Sequence, residues 1–151
     1  MGSKTLKNDC LARFSIPYES GTLEAVSYDA ADHEIGRYKL QSAGGATSLT
    51  LDAEEPAAQT GHLCYVRLRY TDENGITKPL MRGNIQVQVR GGTLVGLGSA
   101  CPFNKHSYLD SETDTYYGEA LAIVRMGDGD AMTIAASDGE YSAELTVSAQ
   151  A

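Results

Sequence analysis

The segment Cys64-Tyr-Val-Arg-Leu-Arg-Tyr70 decides the fold class, because its residues alternate strictly between two kinds. Every second residue from Cys64 onward belongs to the series Cys, Val, Leu and Tyr, and the residues between them are Tyr and Arg. A period of two residues is typical of a β-strand with one face in the core and one face in water. The segment therefore predicts an all-β chain built from half-buried strands.

The same alternation recurs along most of the chain, for example at Ile85–Val89 and Tyr141–Val147. Between these segments lie turn clusters such as Asn74-Gly75 and Ser137-Asp-Gly-Glu140, which supply the positive φ of tight hairpins. No segment carries a helical period, although residues 52–59 could form one turn of helix. Seven short strands over about 100 residues are the signature of an immunoglobulin-like β-sandwich. The expected strands are 48–52, 63–70, 84–90, 93–98, 118–126, 131–136 and 141–148.

The first 47 residues form a separate predicted unit. Strands are expected near 11–16, 22–28 and 35–41, and three strands are too few to close a sandwich by themselves. The run Gln41-Ser-Ala-Gly-Gly-Ala-Thr47 reads as a flexible linker between this unit and the sandwich at 48–151. An open strand edge and an apolar face around Phe14, Ile16 and Leu23 are the expected consequences.

Composition excludes several classes of function. The formal net charge is −8, which disfavours contact with phosphate backbones, so no nucleic-acid partner is expected. No apolar run approaches the roughly 20 residues that cross a bilayer, so no membrane partner is expected. The cysteines Cys10, Cys64 and Cys101 are odd in number and lack paired spacing, so we expect neither a disulfide framework nor a zinc site. No cofactor is implied.

The carboxylates do not predict a catalytic site. A retaining glycosidase needs two of them roughly 5 Å apart in a cleft, whereas the acidic residues here fall in turns or on outward strand positions, where solvated residues are the ordinary interpretation. Calcium is disfavoured in the turn Asp128-Gly-Asp130 and in the segment 110–114, because neither has the spaced ligand set of a calcium loop. The residues expected to be solvated are Asp72, Glu73, Asp110, Glu112, Asp114, Asp128, Asp130 and Asp138.

One segment has the character of a binding site, namely the connection from Ser99 to Thr115. Connections longer than about 12–15 residues are uncommon in compact domains and are often functional. Sugars stack on exposed aromatic rings, so a saccharide patch is one interpretation. The other is that Phe103 and Tyr108 fix the loop to the sandwich, since aromatic side chains are commonly buried for their area. The candidate carbohydrate contacts are Phe103, Tyr108, Tyr116 and Tyr117.

Three blocks carry a resemblance to a known family: Gly92-Thr-Leu-Val-Gly-Leu-Gly-Ser-Ala-Cys-Pro102, Tyr116-Tyr-Gly-Glu-Ala-Leu-Ala-Ile-Val-Arg125 and Phe14-Ser-Ile-Pro-Tyr-Glu-Ser-Gly-Thr-Leu-Glu-Ala25. Together they resemble the C-terminal accessory region of glycoside hydrolase family 2, the β-galactosidase family. The resemblance spans Thr5 to about Val147. None of the catalytic carboxylates of that family maps onto this sequence, because they belong to a barrel domain.

The resemblance implies a non-catalytic accessory domain of a bacterial β-galactosidase, which packs against the catalytic barrel and neighbouring β-sandwich domains. The parent enzyme would hydrolyse terminal β-galactosides or related β-glycosides. Residues 6–41 would then be the second half of a small sandwich whose earlier strands precede Met1, and this open unit could pair with a second copy of the chain. Two alternatives stay open: a carbohydrate-binding module and a bacterial surface-adhesion sandwich. The cellular location is not predicted.

Overall fold

The computed structural model describes residues 2–6 and 10–150, and every regular element in this part of the chain is a β-strand. No helix in the described residues is long and apolar enough to cross a membrane. The strands are β1 (Thr22–Tyr28), β2 (Glu34–Gln41), β3 (Ser48–Ala53), β4 (Ala57–Ala58), β5 (Leu63–Thr71), β6 (Asn84–Arg90), β7 (Gly92–Gly98), β8 (Glu112–Asp114), β9 (Glu119–Met126), β10 (Ala131–Ser137) and β11 (Ser142–Ala149).

The chain divides into two compact units, Met1–Ser42 and Ala43–Ala151. The run at residues 41–47 was expected to be a flexible linker, but its last three residues accept hydrogen bonds from a lysine of the second unit. Lys78 Nζ donates to the carbonyl oxygens of Gly45 and Ala46 at 3.0 and 2.7 Å and to Thr47 Oγ1 at 2.8 Å. These bonds hold the segment that precedes β3 in one path.

The first unit contains an antiparallel hairpin of β1 and β2 with two different faces. Leu23 pairs with Leu40 and Ala25 with Tyr38 on one face. On the other face Arg37 donates to the carboxylates of Glu24 (2.5 Å) and Glu34 (2.8 and 3.0 Å). The prediction of a strand at 11–16 was wrong, because residues 10–19 form neither ladder nor turn in the structure.

The second unit is the predicted immunoglobulin-like β-sandwich. One sheet has the strand order β4-β11-β10-β6-β8 and the other has the order β3-β5-β9-β7. The sheets face each other with β3 beside β11 at one edge, and β7 beside β6 and β8 at the other. Inward residues of both sheets form one core that includes Val66, Leu68, Tyr70, Ile85, Leu97, Ala122, Val124, Met126, Met132, Ile134 and Val147.

All seven strands predicted for this unit are confirmed, and two short strands were missed. Glu112–Asp114 (β8) pairs with Asn84–Gln86 and shortens the predicted seventeen-residue connection. Ala57–Ala58 (β4) pairs with β11 in a parallel sense, within the segment that could have formed a turn of helix. Both are edge strands of two or three residues, too short for an alternating pattern to be visible in the sequence.

Asp72 corrects the prediction that the acidic turn residues are all solvated, because its residue is only 3% exposed. Its carboxylate accepts hydrogen bonds from the backbone N–H groups of Gly44 (2.6 Å), Asn74 (2.8 Å) and Ile76 (2.8 Å). These donors, that of Gly44 first, lower the pKa of Asp72. The carboxylate thus organises the turn after β5 and fixes the segment before β3 to it. Glu112 and Asp114 also depart from the prediction, since they lie in β8 and are half-buried.

Asp138 is the second correction. The hydroxyl of Tyr70, a fully buried residue of β5, donates to the Asp138 carboxylate at 2.5 Å. The other carboxylate oxygen accepts from the backbone N–H groups of Glu140 (2.9 Å) and Tyr141 (2.7 Å). The ring of Tyr141 packs edge-on against Tyr70 with centroids 6.1 Å apart. A turn between β10 and β11 in one sheet is therefore bonded to the central strand of the other.

We predict that Val124→Asp unfolds the sandwich. Val124 is 0% exposed, and an unpaired buried carboxylate costs several kcal/mol out of the roughly 5–15 kcal/mol of a typical domain. Leu121→Asp is the matched control, because Leu121 lies on the outward face of the same strand. Thermal unfolding followed by circular dichroism should show the loss only for the Val124 variant. Equal melting temperatures of the Val124 variant and the unsubstituted chain would contradict the assignment of faces.

A second prediction concerns the space around the Tyr70 hydroxyl. A methyl group on Gly83 would overlap that hydroxyl, so Gly83→Ala should destabilise the fold strongly. Tyr70→Phe should cost about 1.5–3 kcal/mol, because it removes a hydrogen bond to a charged group. It also removes the nearest clashing atom, so Gly83→Ala should cost at least about 0.5 kcal/mol less in that background. Urea unfolding of the four proteins measures this coupling, and strictly additive losses would contradict it.

Candidate functional site

An open hollow of about 520 Å³ lies on the outward face of the sheet formed by β3, β5, β9 and β7. Strand pairing sets its floor, because Gly96 and Gly98 of β7 lie opposite Ile123 and Leu121 of β9. Every second residue on these strands points into the core, so Gly96, Gly98, Leu121 and Ile123 lie on the outward face. The hollow is lined by Glu54, Arg67, Gly96, Leu97, Gly98, Ser99, Ala100, Tyr108, Tyr116, Glu119, Ala120, Leu121 and Ile123.

The loop of residues 99–111 forms one wall of the hollow by folding back on β7. The Leu97 N–H donates to the Tyr108 carbonyl at 2.8 Å, and the Val87 N–H donates to the Ser111 carbonyl at 2.8 Å. The ring of Tyr108 lies directly on Gly98, where a methyl group would overlap its carbons Cδ1 and Cε1. Tyr108 nevertheless stays 62% exposed. Because Gly98 has no side chain, β7 leaves room there for an aromatic ring that is exposed to solvent.

Tyr116 lines the hollow at the turn that leads into β9, and Tyr117 lies against it. Their rings meet edge-on with centroids 4.5 Å apart. Tyr117 has a φ of 51°, and Gly118 follows with a φ of 75° beside the backbone of Lys78. This tight turn places Tyr116 on the hollow and leaves Tyr117 exposed beside it. Hydrogen bonding with Tyr117 raises the pKa of Tyr116, which keeps its phenol protonated.

The four aromatic residues predicted as carbohydrate contacts do not form one cluster. Tyr108 and Tyr116 line the hollow, and Tyr117 contacts Tyr116. Phe103 is 86% exposed and does not line the hollow. The alternative was that Phe103 and Tyr108 fix the loop to the sandwich; Phe103 does not fit it because it is exposed, whereas the ring of Tyr108 does contact Gly98 of the sandwich. Carbohydrate contact by any of the four stays a prediction.

Sequence reasoning missed the charged residues of the hollow. Arg67 is exposed on β5 between Glu54 on one side and Glu119 on the other, and no described residue forms a hydrogen bond or ion pair with its guanidinium. Glu119 accepts a hydrogen bond from Thr77 Oγ1 at 3.4 Å. Ser99 Oγ is buried and lacks a partner among the described residues. The only signal in the sequence was that Arg67 occupies the outward position of a strand.

The backbones of the two glutamates of the hollow are far apart along β5. Glu54 donates its backbone N–H to the Tyr65 carbonyl at 3.0 Å, whereas Glu119 pairs with Arg69. Tyr65 and Arg69 are four residues apart on β5, so the backbones of Glu54 and Glu119 are offset by about 13 Å along the strand. Glycosidases place their catalytic pair about 5–9.5 Å apart, so the backbone does not present this pair as one. The described residues contain no group of three or more His, Cys, Asp and Glu side chains that could hold a metal ion.

Fold and site together define an immunoglobulin-like sandwich with an open hollow on one sheet face. The family described as glycoside hydrolase family 2 C-terminal domain 5 matches residues 48–146. The chain therefore belongs to this family of C-terminal domains. Among curated proteins, none matches the chain.

Solved structures of longer enzymes share this fold. A glycosyl hydrolase family 2 member from Bacteroides cellulosilyticus is 28% identical with a TM-score of 0.81, over 89% of this chain and 19% of its own. A β-glycosidase from Bacteroides vulgatus is 19% identical with a TM-score of 0.77, over 88% of this chain and 18% of its own. A β-glucuronidase from glycoside hydrolase family 2 is 18% identical with a TM-score of 0.76, over 89% of this chain and 15% of its own.

The chain thus spans about a fifth of the length of the first of these relatives. A match over 89% of its residues is longer than the second unit alone, so it extends into the first unit. The two enzymes below 25% identity show the fold alone.

We predict that Gly98→Ala displaces Tyr108 without unfolding the sandwich. The added methyl group overlaps only the end of a side chain that can rotate away. Gly96→Ala is the matched control, because its nearest neighbour would be the Tyr108 carbonyl oxygen at an ordinary 3.5 Å. Hydrogen exchange should accelerate over residues 103–109 for the Gly98 variant only. Identical exchange in both variants would contradict the contact of ring and strand.

Proposed function

We propose that this chain is a non-catalytic accessory β-sandwich of a glycoside hydrolase family 2 enzyme, in which it packs against the catalytic barrel and neighbouring sandwich domains. The single observation that carries the proposal is the family match over residues 48–146. The similarity to a glycosyl hydrolase of which the chain spans 19% supports it further. Because the match covers only about a fifth of that relative's length, most of such an enzyme consists of other domains.

The chemistry of the hollow supports a non-catalytic function. Arg67 lies on β5 between the levels of the two glutamates, whose backbones are offset by about 13 Å along that strand. A retaining mechanism needs a nucleophile and an acid about 5–5.5 Å apart, and an inverting one needs about 6.5–9.5 Å. Neither arrangement follows from the strand register.

The substrate of the parent enzyme is proposed at two levels. Hydrolysis of β-glycosides is the broader proposal, and the family match together with the similarity to a glycosyl hydrolase family 2 member supports glycoside hydrolysis. Hydrolysis of terminal β-galactosides is the narrower proposal, and it rests on the resemblance of the blocks at 92–102 and 116–125. The family match favours both over a surface-adhesion sandwich.

We predict that the isolated chain does not hydrolyse nitrophenyl β-galactoside, β-glucoside or β-glucuronide. The expected result is a rate equal to the buffer blank across pH 4 to 9, because the chain matches a C-terminal domain and the backbones of Glu54 and Glu119 are offset by about 13 Å along β5. A full-length family 2 glycosidase serves as the positive control. Turnover that survives repurification and disappears in Glu54→Gln or Glu119→Gln would contradict the prediction.

The hairpin of the first unit suggests a further partner, a second copy of the chain. Its face with Leu23, Tyr38 and Leu40 is apolar, and these side chains are 46%, 69% and 53% exposed. A two-stranded hairpin is only marginally stable in water without a covering layer. Self-association would cover this face with an identical one, as two-fold interfaces do.

We predict a dimer in light scattering at tens of micromolar protein. Leu40→Lys should shift the population to monomer, because it places a charge within the apolar face. Lys39→Ala on the opposite face is the matched control and should leave the dimer intact. A monomeric unsubstituted chain would contradict self-association and would leave the accessory function untouched.

A further inference from the structure

We propose that the hollow on the outward face of β5, β7 and β9 binds a neutral saccharide. This inference goes beyond the accessory function, since an accessory sandwich can support a catalytic barrel without holding a sugar. It rests on four observations: an exposed ring fixed on a glycine, polar groups without partners, the charge balance and the size of the hollow.

The ring of Tyr108 provides a preformed platform. Its backbone is fixed by the hydrogen bond from Leu97, and its ring lies against Gly98. An aromatic ring that served only packing would be covered, yet Tyr108 is 62% exposed and lines the hollow. The C–H faces of a pyranose ring pack on such a surface, and a ring already in place loses little conformational entropy on binding.

Two charged side chains near this platform have no hydrogen-bond partner among the described residues. They are Arg67 and Glu54, which both line the hollow and are exposed. The Arg67 guanidinium donates hydrogen bonds and the Glu54 carboxylate accepts them, which matches the hydroxyl groups of a sugar.

The charge balance selects neutral sugars over acidic ones. Two carboxylates, Glu54 and Glu119, line the hollow beside the single guanidinium of Arg67. A uronate would bring a third carboxylate into this environment and be repelled by both glutamates. The hydroxyl groups of a neutral sugar can instead donate to the carboxylates and accept from the guanidinium.

The size of the hollow agrees with this ligand class. Its volume of about 520 Å³ lies within the range of roughly 300–1,000 Å³ that is typical of small-molecule sites. The open shape exposes one side of the ligand to solvent. A terminal glycosyl residue of a longer glycan is therefore the form of ligand that fits.

The test is a titration of the full chain with methyl β-galactoside, methyl β-glucoside, lactose and methyl β-glucuronide, followed by saturation-transfer NMR and calorimetry. At least one neutral sugar should bind saturably, and the glucuronide should bind at least about tenfold more weakly. Tyr108→Ala should weaken binding about tenfold, equivalent to about 1.4 kcal/mol. Phe103→Ala is the matched control, because Phe103 belongs to the same loop but does not line the hollow.

A second pair of variants guards against a folding artefact. Gly98→Ala should weaken binding by displacing the ring, whereas Gly96→Ala should not, and circular dichroism should be unchanged in all four variants. Absence of saturable binding by every neutral sugar overturns the proposal, and so does tighter binding of the glucuronide. Equal losses in the Tyr108 and Phe103 variants also overturn it. None of these results bears on the family assignment, so a failure here is distinguishable from a failure of the accessory function.

Discussion

The hydrogen bond from Tyr70 to Asp138 is the constraint on which the sandwich depends. A phenol buried in a core needs an acceptor, and here the acceptor comes from a turn of the opposite sheet. Burial raises the pKa of Tyr70, so the hydroxyl stays a donor. Desolvation acts to raise the pKa of Asp138, but the bonds from Tyr70 and from backbone N–H groups lower it overall. The pair therefore keeps its donor and acceptor states over the ordinary pH range and fixes the alignment of the two sheets.

The period of two residues predicted well which strand faces form the core, because the alternation of buried and exposed positions is a property of each single strand. The alternation in β5 and β9 identifies which residues face the core, and the structure agrees at every second residue from Cys64 to Tyr70 and from Ala120 to Met126. Asp72 and Asp138 could not be predicted in the same way. Turn preferences place an Asp in a turn, yet they do not reveal whether that turn then folds over a buried donor. Long-range contacts decide this, and they leave no local pattern.

The candidate site was predicted in part for the same reason. The connection after β7 was singled out because it is long and has aromatic residues in and beside it, and the structure brings two of these four candidates, Tyr108 and Tyr116, to one hollow. Phe103 is equally aromatic but projects into solvent. The difference arises from a backbone bond and a glycine next to Tyr108, not from residue type. The charged residues of the hollow could not be predicted from the sequence, because an arginine at an outward strand position is what alternation ordinarily produces.

The blocks that carry the family resemblance also build the hollow. The block at 92–102 contains β7 and the block at 116–125 contains most of β9, and the two pair directly, with Leu97 opposite Ala122 and Gly98 opposite Leu121. Glycines in a strand normally weaken it, so their presence in a paired strand needs a local reason. At Gly98 the reason is the ring of Tyr108, which occupies the space of the absent side chain. The segments that carry the family resemblance thus also form the surface of the hollow, where a glycine that weakens the strand leaves room for an aromatic ring.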